Sequence, residues 1–84
     1  MNIYVGNLNY KVNETDLEDI FEEFGAVESS KVISDKYTGK SKGFGFVIME
    51  DQQQAEKAIE ELNGATYEDR VLVVNEARPK KENY

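Results

Sequence analysis

The chain has 84 residues, enough for one small domain, and contains neither cysteine nor histidine. That removes disulfides, thiolate chemistry and the common zinc sites, so neither a metal nor a cofactor is expected. The net charge of −7 argues against a nucleic-acid partner unless the charges are segregated in space.

The apolar runs are short of membrane-spanning length and the opening residues carry no signal-peptide pattern. The expectation is a soluble cytoplasmic protein with no membrane association.

Asn2-Ile3-Tyr4-Val5-Gly6-Asn7-Leu8 opens the chain with alternating β-branched and aromatic residues closed by Gly and Asn, which predicts a short strand. Leu17, Ile20, Phe21 and Phe24 then fall at i, i+3, i+4, i+7, the spacing of a helix with one buried stripe. Asn13 or Thr15 suits its N-cap, Glu14 and Asp16 suit its first turn, and Gly25 suits its end. Val27 to Asp35 reads as a second strand, and Asp35 to Ser41, polar and holding Gly39, as a loop. Lys42 to Glu50 predicts a third strand. Asp51 caps a second helix with Gln54 as its capping-box partner, and Ala55, Ala58, Ile59 and Leu62 form its buried stripe. Asn63-Gly64 ends that helix. Thr66 and Tyr67 suggest a short extra strand turning at Glu68-Asp69, and Val71 to Asn75 predicts the last strand. Pro79 stops regular structure, so residues 1–78 are expected to form the domain and 79–84 a flexible tail.

The order is βαββαβ. Two βαβ units give an α+β, ferredoxin-like sandwich: a four-stranded antiparallel sheet with two helices on one face. The other face meets water. Strand side chains alternate between faces. Ile3, Val5, Val47 and Met49 belong to the core, so Tyr4, Phe44, Phe46 and Ile48 point to the open side. A large exposed apolar patch usually marks a binding surface. A platform of rings suits unpaired bases, since every base has a π-face and duplex bases are already stacked. Lys42, with Lys40 just before it, stands at the head of the same strand, where phosphates would run. Gly43 and Gly45 remove side chains beside the phenylalanines, which would let a nucleic-acid strand approach closely.

Lys42-Gly43-Phe44-Gly45-Phe46-Val47-Ile48-Met49 resembles the RNP1 octamer of the RNA recognition motif, K/R-G-F/Y-G/A-F-V-x-F/Y, at seven of eight positions. Ile3-Tyr4-Val5-Gly6-Asn7-Leu8 looks like the family's RNP2 hexamer. The resemblance covers residues 2 to about 78, and it extends to the short single-motif RNA-binding proteins of bacteria and the RNA-binding half of plant glycine-rich proteins. It implies that Tyr4 and Phe44 each stack a base, Phe46 lies against sugars and Lys42 meets a phosphate. Asn75, Ala77 and Arg78 resemble positions that contact bases, partly through backbone groups. Met49 departs from the aromatic of the pattern at a core-facing position. The implied function is single-stranded RNA binding in post-transcriptional regulation or RNA chaperoning, with no catalysis.

The charges are segregated in a way that permits this. Ten acidic side chains and one lysine lie on residues 14–24 and 51–63, a balance of −9, so the remainder of the chain carries +2. Single-stranded DNA is the variant partner, and the acidic helix face is a second surface that could take a protein. A protein-only role of this fold goes with lost sheet aromatics and a basic-x-Phe sequence, which Asp69-Arg70-Val71 lacks. An enzyme would need a pocket and a nucleophile–base pair that the residue types do not readily supply. Tyr10 is expected to pack over a helix end, Tyr37 is open between a solvated ring and an RNA contact, and Lys80 and Lys81 suit a solvated tail.

Overall fold

The computed structural model describes residues 1–77. Arg78 and the expected tail lie outside the described residues. The elements run β1 (Asn2–Gly6), α1 (Glu14–Glu22), β2 (Ser29–Ser34), β3 (Ser41–Ile48), α2 (Gln52–Leu62), β4 (Thr66–Tyr67), β5 (Arg70–Val71) and β6 (Val73–Glu76).

α1 starts where Asn13 is extended and its side chain accepts the Asp16 N–H at 2.9 Å; the Asp16 carboxylate accepts the Asn13 N–H in return. This reciprocal cap satisfies two of the orphan donors of the first turn. The helix closes at Glu22, with Glu23 as its C-cap, earlier than Gly25 suggested. α2 is capped by Asp51, which accepts the Gln54 N–H at 2.9 Å. The expected return bond from Gln54 is absent from the cap. Its side chain lies over Gly25 in the turn after α1 instead, where a Cβ on Gly25 would stand 3.0 Å from Gln54 Cβ.

The main sheet has strand order β2-β3-β1-β6, all neighbours antiparallel. Its two RNP-like strands, β1 and β3, are therefore the central pair. Ile3, Val5, Val32, Val47 and Val74 face the helices and pack with Leu17 and Phe21 of α1 and Ala55 and Ala58 of α2. Met49 is fully buried among them, as its parity requires. The small Ala55 and Ala58 let α2 lie close on the sheet. Phe24, Ile20, Ile59 and Leu62 are half-buried at the rim of this core.

The last strand differs from expectation. The run Val71 to Asn75 is divided at Leu72 between two ladders. Arg70–Val71 pairs with Thr66–Tyr67 through a tight turn at Glu68 and Asp69, both at positive φ (50° and 66°). Two consecutive left-handed residues give the turn whose twist matches a hairpin. Leu72 then donates to the Ala65 carbonyl and accepts from the Gly64 N–H, and its side chain is buried. From Val73 onward the chain pairs with β1. A single apolar run thus serves a hairpin first and the main sheet second.

Candidate nucleic-acid interface

The open face is built by register. Tyr4 lies directly opposite Phe46 on one side and Asn75 on the other, and Phe46 lies opposite Lys31. Residues opposite one another share a face, so Lys31, Phe46, Tyr4 and Asn75 form one row across all four strands. Phe44 stands two residues from Phe46 on the same face. The three rings touch. Tyr4 and Phe44 are 6.0 Å apart between centroids and tilted by 33°; Phe46 is edge-on to both, at 5.8 Å from Tyr4 and 6.2 Å from Phe44. Tilted and edge-on pairs are the favoured aromatic geometries and hold the cluster in place without a ligand. Phe46 is the most open of the three, at 36% exposure, and Tyr4 and Phe44 are half-buried.

Gly6 explains how Tyr4 lies. A Cβ on Gly6 would stand 2.8 Å from Tyr4 Cε2 and 2.9 Å from Cζ. The tyrosine ring leans along β1 and occupies the space a side chain would take.

The glycines of β3 have a different role from the one the sequence suggested. Gly45 shares the parity of Val47 and is buried, so its missing side chain lies on the face opposite the phenylalanines, whereas Gly43 is buried against the Tyr10 ring. A Cβ on Gly45 would run into the Lys31 carbonyl of β2, and Gly43 holds a φ of 86°. Close strand approach and a left-handed backbone account for both glycines within the chain itself.

Lys42 is exposed at the head of β3. Asn75 is exposed beside Tyr4. The Ala77 N–H donates to the Asn2 carbonyl at 2.8 Å and extends the β1–β6 ladder, so that donor is already engaged. The β2–β3 loop is folded around Asp35, whose carboxylate accepts the N–H groups of Tyr37 at 2.7 Å and Thr38 at 3.1 Å. These bonds, with the charge of Lys42 nearby, hold the Asp35 carboxyl below its ordinary range. Tyr37 at the loop is 88% exposed, with the Lys36 ammonium 5.7 Å from its ring centroid.

Tyr10 does not pack over a helix end. It is 65% exposed and lies against β3, where a Cβ on Gly43 would come within 3.2 Å of its Cε1. The Arg70 guanidinium stands 5.5 Å from the Tyr10 ring centroid and donates to the Asn7 side-chain oxygen at 2.9 Å. Asn7, at φ 58°, also donates to the Val71 carbonyl at 2.7 Å, and Asn9 donates to the Glu68 carbonyl at 3.1 Å. The β1–α1 loop is thereby laced to the β4–β5 hairpin. Lys31 and Arg70 are the side chains on or beside this face that reading the sequence for site residues missed. Lys31 was recoverable, because burying Val32 forces Lys31 outward. Arg70 was not, since its pairing with Tyr10 spans a loop and a hairpin and leaves no periodic trace.

Among the described residues no group of histidine, cysteine and carboxylate side chains is arranged to hold a metal ion. No helix there is long and apolar enough to cross a membrane.

A fold of this order with aromatic side chains on both central strands defines an RNA-recognition-motif domain. The family model described as RNA recognition motif matches residues 3–73, and the chain belongs to that family. It is 48% identical over 82 residues to RbpE of Nostoc sp. (strain PCC 7120), whose name marks it as an inferred RNA-binding protein; the alignment covers 98% of this chain and 83% of RbpE. The structure is similar to the crystal structure of RNA-binding protein PG1, with a TM-score of 0.92 and 54% identity over 98% of this chain and 99% of that one. It also superimposes on the Sxl-lethal protein of a protein–RNA complex, with a TM-score of 0.89 and 31% identity, covering 96% of this chain and 48% of that one.

Proposed function

We infer that the protein binds single-stranded RNA on the open face of its sheet, as a non-enzymatic binding module acting in post-transcriptional regulation or RNA chaperoning in the cytoplasm. The observation that carries this reading is the cluster of Tyr4, Phe44 and Phe46 on a solvated face. Relatives named for RNA binding and a similar fold seen in a complex with RNA support it. Base stacking on such rings contributes roughly 1–3 kcal/mol per base.

Tyr4 stacks one base. Phe46 is the better candidate for the second, because a stacking ring must offer an open face and Phe46 is more exposed than Phe44. Phe44 then lies against the intervening sugar, which exchanges the roles that the motif alone suggested for the two phenylalanines. Lys42 meets a phosphate, and Lys31 stands ready for another at the far end of the row. Asn75 offers an amide to the edge of the base over Tyr4. Ala77 contributes its carbonyl, its N–H being engaged, and Arg78 completes the set in sequence. The 2′-hydroxyl is what would separate RNA from single-stranded DNA on this face.

The test is a fluorescence-anisotropy titration with a labelled random-sequence RNA of about ten nucleotides, within the range of single-strand site sizes of stacking modules. Wild-type protein is expected to bind and Phe44→Ala/Phe46→Ala protein to lose binding while keeping its circular dichroism spectrum. The same oligonucleotide as DNA measures the 2′-hydroxyl contribution. If wild-type protein fails to bind at low salt, the reading is wrong and the acidic helices become the surface to examine for a protein partner.

A further inference from the structure

We propose that Arg70, which lines the cleft between the ring platform and the β1–α1 loop together with Lys42, adds a further phosphate subsite beside the Lys42 contact for the RNA strand as it leaves the platform. This rests on the RNA reading above and extends the site beyond the two central strands.

The cleft is lined by Tyr4, Asn7, Tyr10, Lys42, Phe44 and Arg70. Two of the platform rings form one wall, so a strand stacked there continues directly into it. Both charged side chains lining the cleft are basic, although the chain carries a net charge of −7. Among the described residues no carboxylate lines the cleft itself, and the nearby Asp35, which acts on Lys42 from the adjoining β2–β3 loop, leaves Arg70 as the cation free of an acidic neighbour in the lining.

Arg70 is held ready for this role. Its guanidinium lies over the Tyr10 ring at cation–π distance, 5.5 Å from the centroid, and is tethered through Nη1 to the Asn7 side-chain oxygen at 2.9 Å. A guanidinium has five N–H donors in a fixed fork, so one bond to Asn7 leaves several for phosphate oxygens. Asn7 is itself fixed by its bond to the Val71 carbonyl. An arginine used only to close the hairpin would have no need of an exposed aromatic ring beneath it. Tyr10 and Asn7 are positioning residues here: they set where the fork points and lower the ordering cost of using it.

The experiment is the salt dependence of RNA affinity for wild-type, Arg70→Gln, Tyr10→Leu and Phe46→Ala proteins with the same ten-nucleotide RNA. With two or three phosphate contacts the wild-type slope of log K against log salt is expected near −1.5 to −2, at about −0.7 per contact on a single strand. Arg70→Gln is expected to make it shallower by about 0.7 and to weaken binding at least about 3-fold. Arg70→Lys keeps the charge and is expected to restore the slope while leaving part of the affinity loss. Tyr10→Leu is expected to weaken binding without abolishing it, because Arg70 keeps its Asn7 tether. Phe46→Ala is expected to lower affinity at an unchanged slope, which separates the platform from the subsite. A purely structural role for Arg70 would change the melting temperature and leave the slope alone. An unchanged slope and affinity in Arg70→Gln, alongside a weakened Phe46→Ala, overturns the subsite and leaves the platform standing. No binding by wild-type protein overturns both.

Discussion

Gly6 sits beneath Tyr4 because the tyrosine ring has taken the space of its side chain, and this makes a separable prediction at the scale of single residues. Gly6→Ala places a methyl group against the far end of the Tyr4 ring. The ring can swing away, so the cost to stability should be small, about 1 kcal/mol or less. The stacking surface moves with it, so RNA affinity is expected to fall several-fold while the melting temperature changes little. Anisotropy titration and thermal denaturation on the same sample check this, and a variant that binds as well as wild type would show that the Tyr4 orientation is unimportant. The outward ring positions were legible from strand parity alone, because a period of two allows Tyr4 no other face once Ile3 and Val5 are buried. The reason for Gly45 was not legible. It is set by the Lys31 carbonyl of a neighbouring strand, and sequence spacing carries no information about interstrand approach.

At the scale of elements, the β2–β3 loop depends on one carboxylate. Asp35 accepts two backbone N–H groups and its carboxyl is held below the usual range by them. A depressed folded-state pKa means that its contribution is present above the unfolded pKa and is lost as pH falls through the folded one. Protection of the Tyr37 and Thr38 amides, measured relative to their intrinsic exchange rates at each pH, is therefore expected to persist through mildly acidic pH and to be lost only below the ordinary carboxylate range. Asp35→Ala should abolish that protection at every pH, with the rest of the sheet unaffected. Equal protection in the variant would mean that the loop is ordered by something else. Helix starts were readable here because caps are local: Asn13 with Asp16, and Asp51 with the Gln54 N–H. The division of the last strand at Leu72 was hidden, because Val71 to Val74 is uniformly apolar and only tertiary pairing decides which residues join the hairpin and which join β1.

For the molecule as a whole, charge and shape agree. The helices carry the acid on one side of the sheet; on α1, Glu22 is held above the ordinary carboxylate range by its hydrogen bond to Glu18, by desolvation and by the charges of Glu18 and Asp19. The rings, Lys31, Lys42 and Arg70 lie toward the other. Salt screens exposed charges beyond a Debye length of about 8 Å, so the acidic back weakens long-range attraction of RNA without closing the face to it. The balance of charge thus bears on affinity and rate more than on whether the site exists. Whether RNA lies on the ring face is read most simply from a chemical-shift map of the folded protein during titration with a short single-stranded RNA. Binding on the open face is expected to shift the ring protons of Tyr4, Phe44 and Phe46 and the amides of β1 and β3, with α1 and α2 nearly still. Shifts confined to the helices, or none at the three rings, would contradict it.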